Sequence, residues 1–214
     1  MRQDIVRRIE ECGVIAVIRM DNTEKLQQVI EAISEGGVKA LEITMTTPGA
    51  IDVIKAVSKQ ISSDFMLGVG TVLDPETARA AILAGAEFVV GPTLNPDVIK
   101  MAHRYDKAVF PGAFTPTEIL TAWEHGADIV KVFPATALGP KFFKDVKGPL
   151  PEVKMTPTGG VGLNNAAEFI KSGAACLGVG TAMLDKKMIA ESDWDGLAKL
   201  AASFVAEVKK GREA

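Results

Sequence analysis

Four segments of this 214-residue chain obey one rule: a glycine, a small residue, then a short apolar strand. They read GVKALEIT, GAEFVVGP, GADIVKVF and GAACLGVG, beginning at Gly37, Gly85, Gly126 and Gly173. With four further runs they give eight strands, at 14–19, 40–45, 66–71, 88–91, 108–112, 129–133, 154–160 and 176–180. Amphipathic segments of helical period fall between them, and their starts carry cap chemistry. Asp74-Pro75 and Asn95-Pro96 read as N-cap followed by proline at the first helical position, and Thr115 with Glu118 reads as a capping box. Strands that alternate with helices predict a parallel sheet, and eight such units predict an α/β fold of the closed (β/α)₈ TIM-barrel type. An open doubly wound sheet is the alternative. No linker or low-complexity stretch divides residues 1–214, so one domain is expected, with DIVRRIEECG covering the barrel floor. The segment DWDGLAKLAASFVAEVKK reads as a closing helix that buries Leu197, Leu200, Phe204 and Val208.

The repeated grammar also aligns side chains. Counted from each glycine, the sixth position holds Glu42, Val90, Lys131 and Gly178, on alternate strands. In a closed barrel each interior layer takes its four side chains from alternate strands, so these four are candidates for one layer. Glu42 and Lys131 would then face each other across the axis, with Gly178 leaving them room. Thr44, Pro92, Phe133 and Gly180 would form the layer above, at the C-terminal mouth.

Composition narrows the function. The chain is 47% hydrophobic and 24% charged, with a net charge of −3, which offers no basic footprint for nucleic acid or an anionic membrane. Lys186-Lys187 and Lys209-Lys210 lie beside acids and read as solvated surface. The two cysteines, Cys12 and Cys176, lack metal-ligand spacing and fit a reducing compartment. The N-terminus has no apolar signal core, and no stretch approaches the ~18 apolar residues of a membrane span. A cytoplasmic location is expected. His103 and His125 read as surface or capping residues, and Trp123 and Trp194 as packing. No metal ligand set and no cofactor motif are apparent.

A lysine inside the strand IVKVF is the chemical anomaly. A lysine buried alone is costly, so it pairs with a carboxylate or gives up its proton. A Lys131–Glu42 ion pair that only fixes the interior is one reading, although buried pairs rarely stabilise more than apolar residues of similar volume. The other is a desolvated amine that attacks ketones to form a Schiff base, with Glu42 moving the protons. The loops after strands seven and eight, PTGGVGLNN and GVGTAM, suit an anion. Gly159 and Gly160 allow close backbone approach, and Gly180-Thr181 could add N–H and hydroxyl donors. Thr71 brings a further hydroxyl to the mouth.

Taken together, LEITMTTP, GVGTVLDP, VVGPTLNP, FPGAFTPTE, IVKVFPA, PTGGV and GVGTAM resemble the 2-keto-3-deoxy-6-phosphogluconate (KDPG) and 4-hydroxy-2-oxoglutarate (KHG) aldolase family, from about Val14 to Met183. The resemblance implies a metal-independent class I aldolase that releases pyruvate from a 2-keto acid, commonly phosphorylated, and that is usually a homotrimer. It assigns the Schiff base to Lys131, proton transfer to Glu42 and packing on the pyruvyl group to Phe133. It lines the pyruvate end with Thr71 and Pro92, and puts the phosphate on Gly159, Gly160 and Thr181, with Thr158 nearby. One position departs from the family pattern: Thr46 stands where many members carry an arginine that helps hold the substrate carboxylate. A hydroxyl cannot replace a bidentate guanidinium, and Arg19 at the end of strand one is the candidate substitute. Phosphogluconate, phosphogalactonate and hydroxy-oxoglutarate substrates all remain open. A phosphosugar isomerase or epimerase, and a non-catalytic phosphometabolite-binding barrel, are the rival readings.

Overall fold

The computed structural model describes residues 2–20 and 24–214. Helix α1 (Arg2–Cys12) precedes a regular alternation of strands and helices. In order these are β1 (Val14–Ile18), α2 (Leu26–Glu35), β2 (Ala40–Thr44), α3 (Ala50–Val57), β3 (Met66–Gly70) and α4 (Pro75–Ala84). Then come β4 (Phe88–Val90), α5 (Pro96–Arg104), β5 (Ala108–Phe110), β6 (Gly112–Ala113) and α6 (Pro116–Glu124). The chain continues through β7 (Val130–Val132), α7 (Gly139–Lys147), β8 (Met155–Pro157), α8 (Ala166–Lys171), β9 (Leu177–Val179), α9 (Lys186–Glu191) and α10 (Trp194–Arg212).

Every strand but β6, which extends to Ala113, falls within an expected run, and most are a residue or more shorter than expected; two runs end early for a visible reason. The fifth breaks at Pro111, which has no N–H to give a ladder, so β5 and β6 belong to different sheets. The seventh stops at Pro157, and Thr158–Gly160 turn away from it, with Gly159 and Gly160 both at positive φ (86° and 73°). The caps are as expected: the Asp74 carboxylate accepts from Thr77 N at 2.6 Å, Asn95 Oδ1 accepts from Asp97 N at 3.0 Å, and Thr115–Glu118 is a complete capping box.

All strand pairs are parallel. One sheet has six strands in the order β5-β4-β3-β2-β1-β9, and a second has three in the order β6-β7-β8. This is an α/β fold around a curled parallel sheet. The two sheets are continuous through Pro111 on one side. On the other, isolated parallel bridges pair Met155 with Ala174 and Thr158 with Gly178.

Strand period sorts the core into two parts. Val14, Ala16, Ile18, Leu41, Ile43, Val89, Val130 and Val132 face the helices in the larger cluster. Ile15, Ala40, Met66, Phe88, Val90, Ala108, Phe110, Ile129 and Cys176 face inward in the smaller one. Phe88 and Phe110 stack at its centre with ring centroids 5.6 Å apart. Helix α1 closes that cluster by inserting Ile5, Val6 and Ile9 against the N-terminal ends of the strands. Its polar side is tied down by Arg2–Asp128 at 3.4 Å, by Lys154–Glu10 at 2.9 Å, and by Arg212 donating to the carbonyls of Glu10 and Glu11. Helix α10 buries Leu197, Phe204 and Val208 as expected. Leu200 is only half-buried, and Ala201 takes its place on the buried face, where α10 crosses α2 and α8.

Candidate functional site

Glu42 and Lys131 share the inward parity of their strands with Ala40 and Ile129, and both are buried, at 3% and 5% exposure. Val90 is inward and buried as well, and Gly178 is buried. The Lys131 side chain is delivered by β7, whose flanking Val130 and Val132 bury themselves among the helices. Its backbone N–H donates to Pro111 O at 2.9 Å, and its Nζ lies 5.2 Å from the ring centroid of Phe133. Among the described residues, no hydrogen bond or ion pair joins the lysine to Glu42, and Glu42 Oε1 is buried without a hydrogen-bond partner. Burial pushes the Glu42 carboxyl above its ordinary range, and the charges of Lys131 and then Arg19 pull it partly back. The pair is therefore not a closed ion pair. A carboxyl whose charged form burial disfavours stands in the field of an amine, with one oxygen left open.

Room for that carboxyl comes from a glycine that sequence reasoning passed over. A Cβ on Gly70 would overlap the Glu42 carboxyl group, because β3 runs beside β2 in register with Thr44 opposite Gly70. Gly178, expected to make this space, instead accommodates the Thr158 hydroxyl. The parity of GVGT, with glycines at both inward positions, carried the signal, but only the β2–β3 register reveals which side chain needs the space.

A pocket of about 670 Å³ opens at the C-terminal ends of the strands. Arg19, Phe133, Thr158, Gly159, Gly160, Gly180 and Thr181 all line it, so seven of the expected residues converge on one cavity. Val17, the register partner of Glu42, lines it too, and Phe133 lies over Lys131, which puts the buried pair directly behind its wall. The PTGG loop is shaped by its two successive left-handed glycines, a conformation that costs other L-residues about 1–2 kcal/mol each. Asn165 braces it, accepting from Gly162 N and donating to Gly160 O, both at 2.9 Å.

Besides the buried pair, three expected residues lie outside the pocket wall. Thr46 is exposed in the β2–α3 turn, with its hydroxyl 2.8 Å from that of buried Thr44. Pro92 is half-buried after β4, packed so closely on Gly112 that a side chain there would strike its carbonyl. Thr71 follows β3 at φ 60°, an unusual conformation for a β-branched residue, costing roughly 1–3 kcal/mol. What sequence reasoning missed is the outer wall, supplied by Lys25 and by Lys186, Ile189 and Ala190 of α9.

The histidines divide. His125 caps its own helix through Thr121 O at 2.8 Å. His103 is half-buried and lies 3.6 Å from Asp128, a more interior place than the surface expected of it. Burial lowers its pKa, with Arg2 adding to the effect and Asp128 opposing it. This cluster lies at the N-terminal end of β7, away from the pocket. Among the described residues, no group of three or more His, Cys, Asp or Glu side chains could hold a metal ion. No helix among them is long and apolar enough to cross a membrane.

Residues 5–200 match the family model described as KDPG and KHG aldolase. The chain is 36% identical over 192 residues to 2-dehydro-3-deoxy-phosphogluconate aldolase of Pseudomonas aeruginosa, covering 89% of this chain and 86% of the relative. It is 34% identical over 169 residues to 2-dehydro-3-deoxy-6-phosphogalactonate aldolase of Escherichia coli, covering 78% and 82%. Among solved structures, KDPG aldolase from Legionella pneumophila, with pyruvate captured as a covalent carbinolamine intermediate, superposes with a TM-score of 0.86 at 27% identity, covering 94% of this chain and 97% of that one. A strand-borne lysine behind a pocket of this shape, set in this fold and with these relatives, makes the chain a member of the KDPG and KHG aldolase family of lyases.

Proposed function

We propose that this protein is a class I aldolase that cleaves a phosphorylated 2-keto-3-deoxy acid, KDPG or its galactonate counterpart, or 4-hydroxy-2-oxoglutarate, through a Schiff base on Lys131. The observation that carries the reading is the state of the buried pair. Glu42 and Lys131 are both withdrawn from water behind one pocket, feel each other's charge, and are not neutralised by contact.

In the proposed cycle the neutral Lys131 amine adds to the ketone carbon, C2, of the substrate. Glu42 in its acid form delivers the proton that lets the carbinolamine oxygen leave as water, giving the iminium. The Glu42 carboxylate, directly or through one water, takes the proton of the C4 hydroxyl. The electrons of the C3–C4 bond then flow into the iminium, and the aldehyde departs. Glu42 returns that proton to C3 of the enamine. Water hydrolyses the resulting imine, freeing pyruvate and the amine. One carboxyl with a raised pKa serves each step, which fits a group shifted toward neutrality by burial.

Arg19 is the proposed partner of the substrate carboxylate. It lines the pocket and its charge reaches Glu42, whereas Thr46 lies outside the wall. Phe133 packs on the pyruvyl group, Thr71 and Pro92 shape that end, and Gly159, Gly160, Gly180 and Thr181, with Thr158, hold the phosphate. The two sheets are the arcs of one closed (β/α)₈ barrel in a single domain spanning 1–214. The Thr158–Gly178 bridge and the continuous passage through Pro111 support closure. A homotrimer, supported by the exposed apolar Leu73 and Phe114 beside β3 and β6, and a cytoplasmic location complete the reading.

The test is cleavage of KDPG followed by pyruvate release. Lys131→Met is expected to lower kcat at least about 10⁴-fold while the variant stays folded, since the covalent route is removed. Appreciable turnover by Lys131→Met would reject the assignment.

A further inference from the structure

The outer wall of the pocket is built by α9, a short helix whose lysines look in sequence like ordinary surface. Two of the chain's cations meet there in opposite states. Lys25, just before α2, donates from Nζ to Ile189 O at 2.9 Å, Ala190 O at 2.8 Å and Ser192 Oγ at 2.9 Å, and sits 5.9 Å from the ring centroid of Trp194. An ammonium has three donors, and all three are taken by the C-terminal end of α9. Lys25 thus borders the pocket with no hydrogen left to offer a ligand.

Lys186 is the reverse. It is exposed, it lines the same cavity as Gly159, Gly160 and Thr181, and it has no hydrogen-bond or ion-pair partner among the described residues. Its neighbour Asp185 makes no ion pair with it; one oxygen of that carboxylate, Oδ1, caps α9, accepting from Lys187 N at 2.8 Å and Met188 N at 2.9 Å. Arg19, the third cation on the wall, acts on the Glu42 end of the cavity.

We propose that Lys186 binds the distal phosphate of the substrate, opposite the glycine loops, and that Lys25 is the positioning residue that holds α9 as the wall carrying it. The proposal rests on the aldolase reading for its substrate, but not for its test, because phosphate capture can be measured without catalysis. Glycine-loop N–H groups grip phosphate oxygens by direction, and an unpaired ammonium adds the counter-charge they lack. The selectivity follows: the wall favours phosphorylated substrates over 4-hydroxy-2-oxoglutarate, whose shorter carbon chain leaves the α9 side of the cavity empty.

The experiment is calorimetric titration with glycerol 3-phosphate, beside steady-state cleavage of KDPG and of 4-hydroxy-2-oxoglutarate. Lys186→Met is expected to weaken glycerol 3-phosphate binding and raise KM for KDPG on the order of tenfold, the scale of one charge-assisted hydrogen bond, and to move KM for 4-hydroxy-2-oxoglutarate far less. Lys186→Arg recovers most of the loss, the effect shrinks with added salt, and Lys187→Met, on the same helix but off the pocket wall, shows none. Lys25→Met raises KM for KDPG likewise and adds nothing to Lys186→Met in the double variant. Unchanged glycerol 3-phosphate affinity in Lys186→Met, an equal loss in Lys187→Met, or an additive double variant would overturn the proposal. Loss of KDPG cleavage chemistry in the wild type, with glycerol 3-phosphate still bound through Lys186, would instead reject the aldolase reading alone.

Discussion

Glu42, the proposed proton carrier, is held in the folded protein at a cost to stability. Its folded-state pKa is raised by burial, so its charged form is disfavoured in the folded protein. The stability linked to it is fully present below the pKa of the unfolded chain and is lost as pH rises through the folded pKa. Glu42→Gln should therefore raise Tm, by little near pH 4 and by more at pH 7 to 8, while kcat falls by roughly 10²–10⁴-fold for want of an acid–base group. A Tm that drops at neutral pH would contradict this. Gly70 belongs to the same unit. Gly70→Ala puts a methyl group into the Glu42 carboxyl, and is expected to cost about 1–3 kcal/mol in denaturant unfolding and to lower kcat by up to about a hundredfold. Normal kinetics in that variant would show that the carboxyl position matters little. The lysine and its acid were legible in sequence because apolar strands seldom carry charges. Gly70 was not, since its purpose depends on which strand lies alongside.

At the scale of elements, local signals carried far. Prolines at helix starts and capping side chains located the starts of α4, α5 and α6, and the glycine-led segments located β2, β4, β7 and β9, because each is a short-range chemical rule. Pro111 and Pro157 mark where ladders break or stop, yet the expected runs continued past them, to Gly112 and to Gly160. Helix α1 was legible as an amphipathic cover, and its Ile9 is completely buried beneath the strand ends. Ile9→Ala is expected to cost about 2–5 kcal/mol, read by chemical denaturation, with KM little changed because the site lies at the opposite end of the strands. A loss well under 1 kcal/mol would mean that α1 is dispensable to the inner cluster. The α9 wall could not be read from sequence. Lys25 reaches it from the far side of the chain, and nothing local distinguishes Lys186 from Lys187.

Across the whole molecule, the period-two sorting of strands into helix-facing and inward sets brings Glu42 and Lys131 together from remote parts of the sequence. The same sorting places the glycine loops and Arg19 around one mouth. Eight strand-bearing runs were legible from the alternation, whereas the ninth strand follows from the break at Pro111, and the six- and three-stranded sheets also need the gap between β8 and β9, which only isolated bridges span. Substrate choice was not legible, because the cations proposed to set it, Arg19 and Lys186, stand outside the repeating frame. The central claim is that the buried amine captures a ketone. Incubating the protein with pyruvate, reducing with borohydride and mapping the digest by mass spectrometry tests it directly. One reduced pyruvyl adduct is expected on the peptide bearing Lys131, absent without pyruvate and absent in Lys131→Met. An unmodified Lys131 peptide, or an adduct carried by another lysine, would contradict it.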